Sequence, residues 1–323
     1  TGATAIQSVP FVGEHAKELY VFQRTPSSVD LRGNSPTDPE WAETLKPGWQ
    51  RERRENFNDI LLGVPVEEDL VNDGWTEIFR DLMSVVPANK EKDPEITPQE
   101  AAEMAEIADF KKMNGIRQRV DDTVKNGEVA DLLKPWYRQF CKRPTFNDEF
   151  LPTFNRENVT LVDTSINKGI DRITEKGIVA NGVEYELDCI IFATGFEVGT
   201  VYTRRAGFEV TGQDGKTLSE HFAGGLKTFH GFSSHGFPNC FQMGGISQTG
   251  ASVNLTSVLD DHAQHIGYII KEVLDRGVNY VQPTQEAETG WVETIKSLAV
   301  NNQAYLEACT PGYYNNECYI AEG

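Results

Sequence analysis

The sequence predicts an α/β fold, and three stretches carry that prediction. Close to its start, a glycine turn runs into residues at helical spacing and then into a short strand, Leu19, Tyr20, Val21 and Phe22, together two-thirds of a mononucleotide-binding βαβ unit. Further strands are expected much later, at 159–162, 177–179 and 184–187. Between the two groups, from residue 30 to about 133, charge is dense and glycine sparse, the pattern of a helical insertion in a sheet that resumes after it.

In the first stretch, Ala5, Ile6, Val9, Pro10 and Val12 recur at helical spacing. Around them Gly2, Ala3, Thr4, Ala5 and Gln7 read as the tail of a G-x-G-x-x-G/A turn whose first glycine and strand would lie ahead of Thr1, so a piece of a longer polypeptide is expected. Backbone N–H groups at such a helix start favour a phosphate. Roughly 20 residues beyond the turn, NAD-binding versions carry an acid for the ribose 2′-hydroxyl, whereas a cation there accommodates a 2′-phosphate. Here that place holds Arg24, with the hydroxyl of Thr25 beside it, which favours NADP. A solvated strand-end arginine is the plainer alternative.

Within the insertion, 40–62, 73–86, 97–113 and 116–125 read as helices, and Thr97-Pro98-Gln99-Glu100 matches a capping box with proline at the first helical position. Trp41, Trp49 and Trp75 are expected in the core rather than around a ligand. Next comes Tyr137-Arg138-Gln139-Phe140-Cys141-Lys142-Arg143-Pro144, in which cations alternate with aromatics in an otherwise acidic chain. Asn181-Gly182 is a hairpin signal. It leads to Cys189-Ile190-Ile191-Phe192, expected as a buried central strand, and then to Ala193, Thr194 and Gly195. A glycine at that exit lets the chain turn sharply and a cofactor approach closely. Residues 237–243 read as one more strand, feeding a glycine-rich loop with Ser247 and Thr249, and then a helix from about Ser252 to Arg276 capped by Gly277. The N–H groups at that helix start suit an anionic or electron-rich ring edge.

The chain has 323 residues, 39% of them hydrophobic, enough for one large or two ordinary cores. Its formal charge of −19 repels nucleic acid and anionic lipid, and no apolar stretch approaches the roughly 20 residues of a membrane helix. Neither kind of partner is expected. Cys141, Cys189, Cys240, Cys309 and Cys318 are odd in number, without a C-x-x-C pair, which predicts reduced thiols and a cytoplasmic setting rather than a disulfide framework or zinc site. His262 and His265 are expected on a solvated helix face rather than on a metal, and the sequons at Asn158 and Asn254 are expected to be chance.

Taken in order, these motifs resemble the Baeyer–Villiger monooxygenases. The likeness rests on Gly-Ala-Thr-Ala-Ile-Gln from Gly2, Gln-Arg-Thr-Pro from Gln23, Lys-Arg-Pro from Lys142, Asp-Cys-Ile-Ile-Phe-Ala-Thr-Gly-Phe from Asp188, Gly-Phe-Pro-Asn from Gly236, and the Pro-Gly-Tyr-Tyr-Asn-Asn tail from Pro311. It implies two Rossmann-like dinucleotide-binding domains, with the FAD domain incomplete. Residues 1–29 and 136–192 would form the NADP domain, 30–135 its helical insertion, and 193–323 the returning part of the FAD domain. It also implies FAD and NADP as cofactors, and a ketone, bulky, cyclic or aromatic, and O2 as reactants giving an ester or lactone through a flavin peroxide. By the same resemblance, Arg143 stabilises the anionic oxidant and holds the nicotinamide, while Lys142, Arg24 and Thr25 grip the 2′-phosphate. A flavin-dependent S- or N-oxygenase, and a non-catalytic NADP-binding fragment, are the alternatives.

Overall fold

The computed structural model describes residues 2–83, 95–196, 201–244, 254–299, 303–312, 314 and 315. They fall into two compact units, Thr1–Glu197 with Tyr305–Gly323, and Val198–Ala304.

The first unit is α/β. Helix α1 (Ala3–His15) buries Ala5, Ile6, Val9 and Pro10 on one side, as their spacing predicts. A short turn reverses the chain into β1 (Leu19–Gln23), which pairs in parallel with β4 (Val159–Asp163), Leu19 opposite Val159 and Gln23 opposite Asp163. A Cβ on Gly13 would lie 2.9 Å from Thr153 Cγ2 and 3.2 Å from Val159 Cγ2, so glycine there lets α1 sit close against its neighbours. Asn158 donates to the carbonyls of Gly13 and Ala16 at 2.9 and 2.8 Å, closing the end of α1. Its sequon is thus occupied by a structural task.

The insertion supplies α2 (Pro39–Thr44), α3 (Trp49–Leu61), α4 (Gly74–Met83), α5 (Pro98–Thr123) and α6 (Gly127–Leu133). The helix expected over 40–62 is two helices, parted at Pro47-Gly48, where Gly48 has φ +96°. The two expected at 97–113 and 116–125 are one, since Gly115 sits inside α5 without breaking it. The capping box is present, Thr97 accepting from Glu100 N–H while the Glu100 carboxylate accepts from Thr97. Val120 and Val124 at the end of α5, with Ala130 and Leu133 of α6, join Ile6, Val9, Val21, Phe150, Leu151 and Phe154 in one hydrophobic core. The insertion therefore completes the core of the α/β part. Trp41 is not in that core: it is 39% exposed, set edge-on to Trp49 at 6.1 Å with Arg53 over its ring at 5.2 Å.

After α6, β3 (Thr145–Phe146) pairs in parallel with β2 (Val29–Asp30), which precedes the insertion, and α7 (Phe150–Thr153) leads to β4. A meander follows, β5 (Arg172–Ile173), β6 (Gly177–Ala180) and β7 (Val183–Glu186), antiparallel throughout. Its tight turn is Asn181-Gly182, with φ +52° and +75°, the left-handed pair that a two-residue hairpin needs. The central strand expected at 189–192 does not form. No described strand lies beside it, and Ile191 and Phe192 are 60% and 66% exposed. An apolar run becomes a strand only where a neighbour completes its ladder.

In the second unit are α8 (Tyr202–Ala206), α9 (Leu218–Phe222), α10 (Leu255–Asp275) and α11 (Gln285–Leu298), with a last short helix, α12 (Gln303–Glu307), at its boundary with the first. Asn254 caps α10 by accepting from Ser257 N–H, and Gly277 and Val278 donate back to Leu274 and Val273 at its other end, as expected of a glycine stop. The strand expected at 237–243 is absent. Its backbone turns instead, Cys240 N–H bonding Phe237 O and Gln242 N–H bonding Phe232 O. No helix among the described residues is long and apolar enough to cross a membrane.

Candidate cofactor and active site

Because α1 runs back against β1, the start of the helix and the end of the strand lie toward the same edge of the sheet. Gly2 caps α1 in an extended conformation with no side-chain cap, and nothing lies within 4 Å of where its Cβ would be. Thr4 and Gln7 are exposed, Ala3 half-buried and Ala5 buried. Free first-turn N–H groups carry the positive end of the helix dipole. Arg24 is exposed at the end of β1 and Thr25 half-buried beside it.

The structure brings a second segment alongside this strand end. Tyr137 donates its hydroxyl to Pro26 O at 2.8 Å and accepts from Ser28 N–H at 2.9 Å. Thr145 bonds Ser28 O through its hydroxyl at 2.6 Å and its N–H at 3.1 Å. Lys142 and Arg143 sit between these two clasps. Lys142 is half-buried and Arg143 exposed, its guanidinium 6.0 Å from the centre of the Trp75 ring. Trp75 in turn meets Phe146 edge-on at 5.2 Å. Burial holds the Tyr137 phenol well above its ordinary range, so it stays protonated and keeps donating.

One face of α5 braces the clasp, and sequence reasoning passed it over. Asp109 accepts from Gln139 N–H at 2.7 Å, Lys112 bridges Asp30 and Glu77 at 2.7 Å each, and Arg119 donates to Val29 O at 2.8 Å and Asn147 O at 3.1 Å. Burial raises the Asp109 pKa and lowers that of Arg119. The signal was present as charged residues at i, i+3 and i+10 among the buried Met113, Ile116 and Val120, a spacing that returns to one helical face. Beside this seam Ser28 Oγ, Gln23 Oε1 and the Gln139 amide are buried without a hydrogen-bonding partner among the described residues.

The expectation of reduced thiols throughout is overturned at one pair. Cys141, next to Lys142, is disulfide-bonded to Cys309 across 168 residues. A pairing so distant in sequence has no spacing signature, and only the fold brings the two together. Cys189 and Cys240 are free thiols.

Ala193, Thr194 and Gly195 follow the unpaired run. Gly195 has φ +102°, a conformation that glycine adopts without strain, as expected of a sharp exit. Thr194 and Gly195 are exposed and Ala193 half-buried. Ser247 and Thr249 lie outside the described residues. In the second unit, His262 and His265 meet the Phe232 ring at 5.3 and 5.0 Å. The buried Glu288 accepts from His221 Nε2 at 3.0 Å and His235 N–H at 2.9 Å. His221, His235 and Glu288 line a cavity of about 540 Å³ together with Lys216, Lys227 and Lys296, a feature that no motif in the sequence marks.

The chain is 48% identical over 319 residues to neopentalenolactone D synthase of Streptomyces avermitilis, covering 98% of this chain and 53% of that protein. It is 49% identical over 322 residues to a Baeyer–Villiger monooxygenase of Stachybotrys chlorohalonatus, covering all of this chain and 51% of the relative. The chain is homologous to Baeyer–Villiger monooxygenases. It spans about half the length of the curated relatives it matches. Among solved structures, the polycyclic ketone monooxygenase of the fungus Thermothelomyces thermophila superposes with a TM-score of 0.86 at 40% identity, over 99% of this chain and 52% of that one. An oxidised steroid monooxygenase bound to NADP superposes with a TM-score of 0.69 at 26% identity, over 100% of this chain and 63% of that one. No protein-family model matches the chain.

Proposed function

We propose that this chain forms the NADP-binding part and the returning C-terminal part of an FAD-dependent, NADPH- and O2-consuming Baeyer–Villiger monooxygenase that converts a bulky, cyclic or aromatic ketone to an ester or lactone. Residues 1–29 and 136–192 make the NADP domain around the 30–135 insertion, and 193–323 belong to the FAD domain. The observation that carries the reading is the clasp between the end of β1, with Arg24 and Thr25, and the loop with Lys142 and Arg143. It draws cationic segments together in a chain whose net charge is −19.

The residues fit a dinucleotide phosphate. Open N–H groups at Gly2, Ala3 and Thr4 receive the pyrophosphate, with Ala5 packed beneath and Gln7 at the rim. Arg24, Thr25 and Lys142 hold the 2′-phosphate. A guanidinium is a fixed cation, and that of Arg143 would stand where negative charge develops on the transferred oxygen. Bound FAD would supply the oxygen-transfer chemistry. Toward it the described residues contribute Ala193, Thr194 and Gly195, with Ser247 and Thr249 assigned there from the sequence.

Calorimetric titration tests the cofactor half of the reading. NADP+ is expected to bind at least tenfold more tightly than NAD+, and equal affinities would overturn the role of Arg24 and Lys142. Product analysis with a cyclic ketone and a sulfide tests the chemistry, because a sulfoxide without any ester would assign the chain to the S-oxygenases.

A further inference from the structure

The Cys141–Cys309 disulfide joins the cation-bearing loop to the C-terminal segment, and other contacts reinforce the same junction. Arg138 lies over the Tyr305 ring, 4.8 Å from its centre. A Cβ on Gly312 would come 3.9 Å from the carbonyl oxygen of Cys141. The segment is itself folded around Asn315, whose amide donates to the carbonyls of Leu306, Cys309 and Thr310 at 3.2, 3.3 and 3.3 Å and whose oxygen accepts from Gly312 N–H at 3.0 Å. It forms a small strap laid on residues 138–141. Lys142 and Arg143 come next in the chain, before the Thr145 clasp. The loop is therefore tied at its far end by Thr145 and at its near end by the strap.

We propose that the Cys141–Cys309 disulfide is a redox-operated staple that positions Lys142 and Arg143, and that its reduction by a dithiol loosens the loop and weakens NADP binding. Only the consequence for NADP rests on the cofactor reading above. In the step itself, a dithiol thiolate attacks one sulfur and the second thiol resolves the mixed disulfide. The S–S bond breaks, two electrons and two protons pass to Cys141 and Cys309 as thiols, and the dithiol leaves as its own cyclic disulfide. Cys141 and Cys309 are 2% and 6% exposed, so the strap must lift for a reductant to reach them.

The test compares the chain before and after dithiothreitol. Peptide mapping under non-reducing conditions is expected to find the 141–309 link, and its absence overturns the proposal. Hydrogen exchange at 138–143 and 305–312 is expected to quicken on reduction while β1 keeps its protection, and unchanged exchange also overturns it. NADP+ affinity is expected to fall several-fold on reduction, with Cys309→Ser weak from the outset and indifferent to dithiothreitol. Should exchange respond while NADP+ binds equally in both states, the positioning role is wrong. Should exchange respond while NADP+ binds in neither, the staple stands and the cofactor reading fails.

Discussion

The loop at 137–146 and the run at 188–196 are the two richest motifs in the sequence, and the fold treats them oppositely. The loop is fastened by Tyr137 and Thr145 to residues 26–28, by the Gln139 N–H to Asp109 of α5, and by a disulfide to Cys309, three different parts of one unit. The run, although more apolar, has no described strand beside it and leaves Phe196 82% exposed. Hydrophobicity alone therefore did not decide which motif is held. The loop finds its partners within the described residues, and the run does not.

Substituting phenylalanine on either side of this divide gives the largest expected effect. Phe150→Ala empties a site in the core that joins α1, β1 and the insertion, and should cost about 3–5 kcal/mol. Phe196→Ala should change stability by less than about 0.5 kcal/mol. Urea denaturation of both variants measures the contrast, and a comparable loss in the two would mean that the 188–196 run is packed after all. Arg143→Ala comes next. In the active holoenzyme it should lower ester formation by about 10²–10³-fold while NADP+ still binds, because Lys142 and Arg24 remain. Steady-state product formation set beside an NADP+ titration checks this, and a parallel loss of both would make Arg143 a binding residue only.

These contrasts trace what the sequence could and could not convey. Helix α1, strands β1 and β4, the Asn181-Gly182 hairpin and the Thr97 capping box were legible because each is written in a few consecutive residues. Lys142 and Arg143 were legible as cations out of place in an acidic chain. The seam holding them was not, because Tyr137 to Pro26 and Thr145 to Ser28 join residues more than a hundred apart. Cys141 and Cys309 escaped for the same reason. The strand expected at 189–192 failed differently, since its composition was read correctly and its partner was assumed.

Tyr137→Phe probes the seam with a smaller change. The ring stays and only the hydroxyl goes, leaving Pro26 O and Ser28 N–H without that partner in a buried place. The expected loss is about 1–3 kcal/mol, seen as a lower denaturation midpoint. A variant as stable as the parent would show that the clasp at β1 is held by Thr145 alone.

The smallest effect concerns a carboxylate that ties the two sides of the β2–β3 pair. Asp148 accepts from the N–H groups of Arg32, Gly33 and Asn34 at 2.7, 3.3 and 3.4 Å. Its partial burial works to raise its pKa, but these three bonds and the charge of Arg119 outweigh it and hold the pKa below the ordinary value. A carboxylate lowered on folding contributes stability that is fully present above the unfolded pKa and is lost as pH falls through the folded one. Because Asp148 is only half-buried, solvent screening reduces that contribution to about 0.5 kcal/mol or less. Asp148→Asn can still accept through its amide oxygen but no longer titrates, so its stability should fall less than the parent's between pH 7 and pH 3. Identical pH profiles for the two would mean that the loop at 32–34 is not held by the charge of Asp148, leaving the Arg119 bonds to Val29 and Asn147 as the brace on that side of the seam.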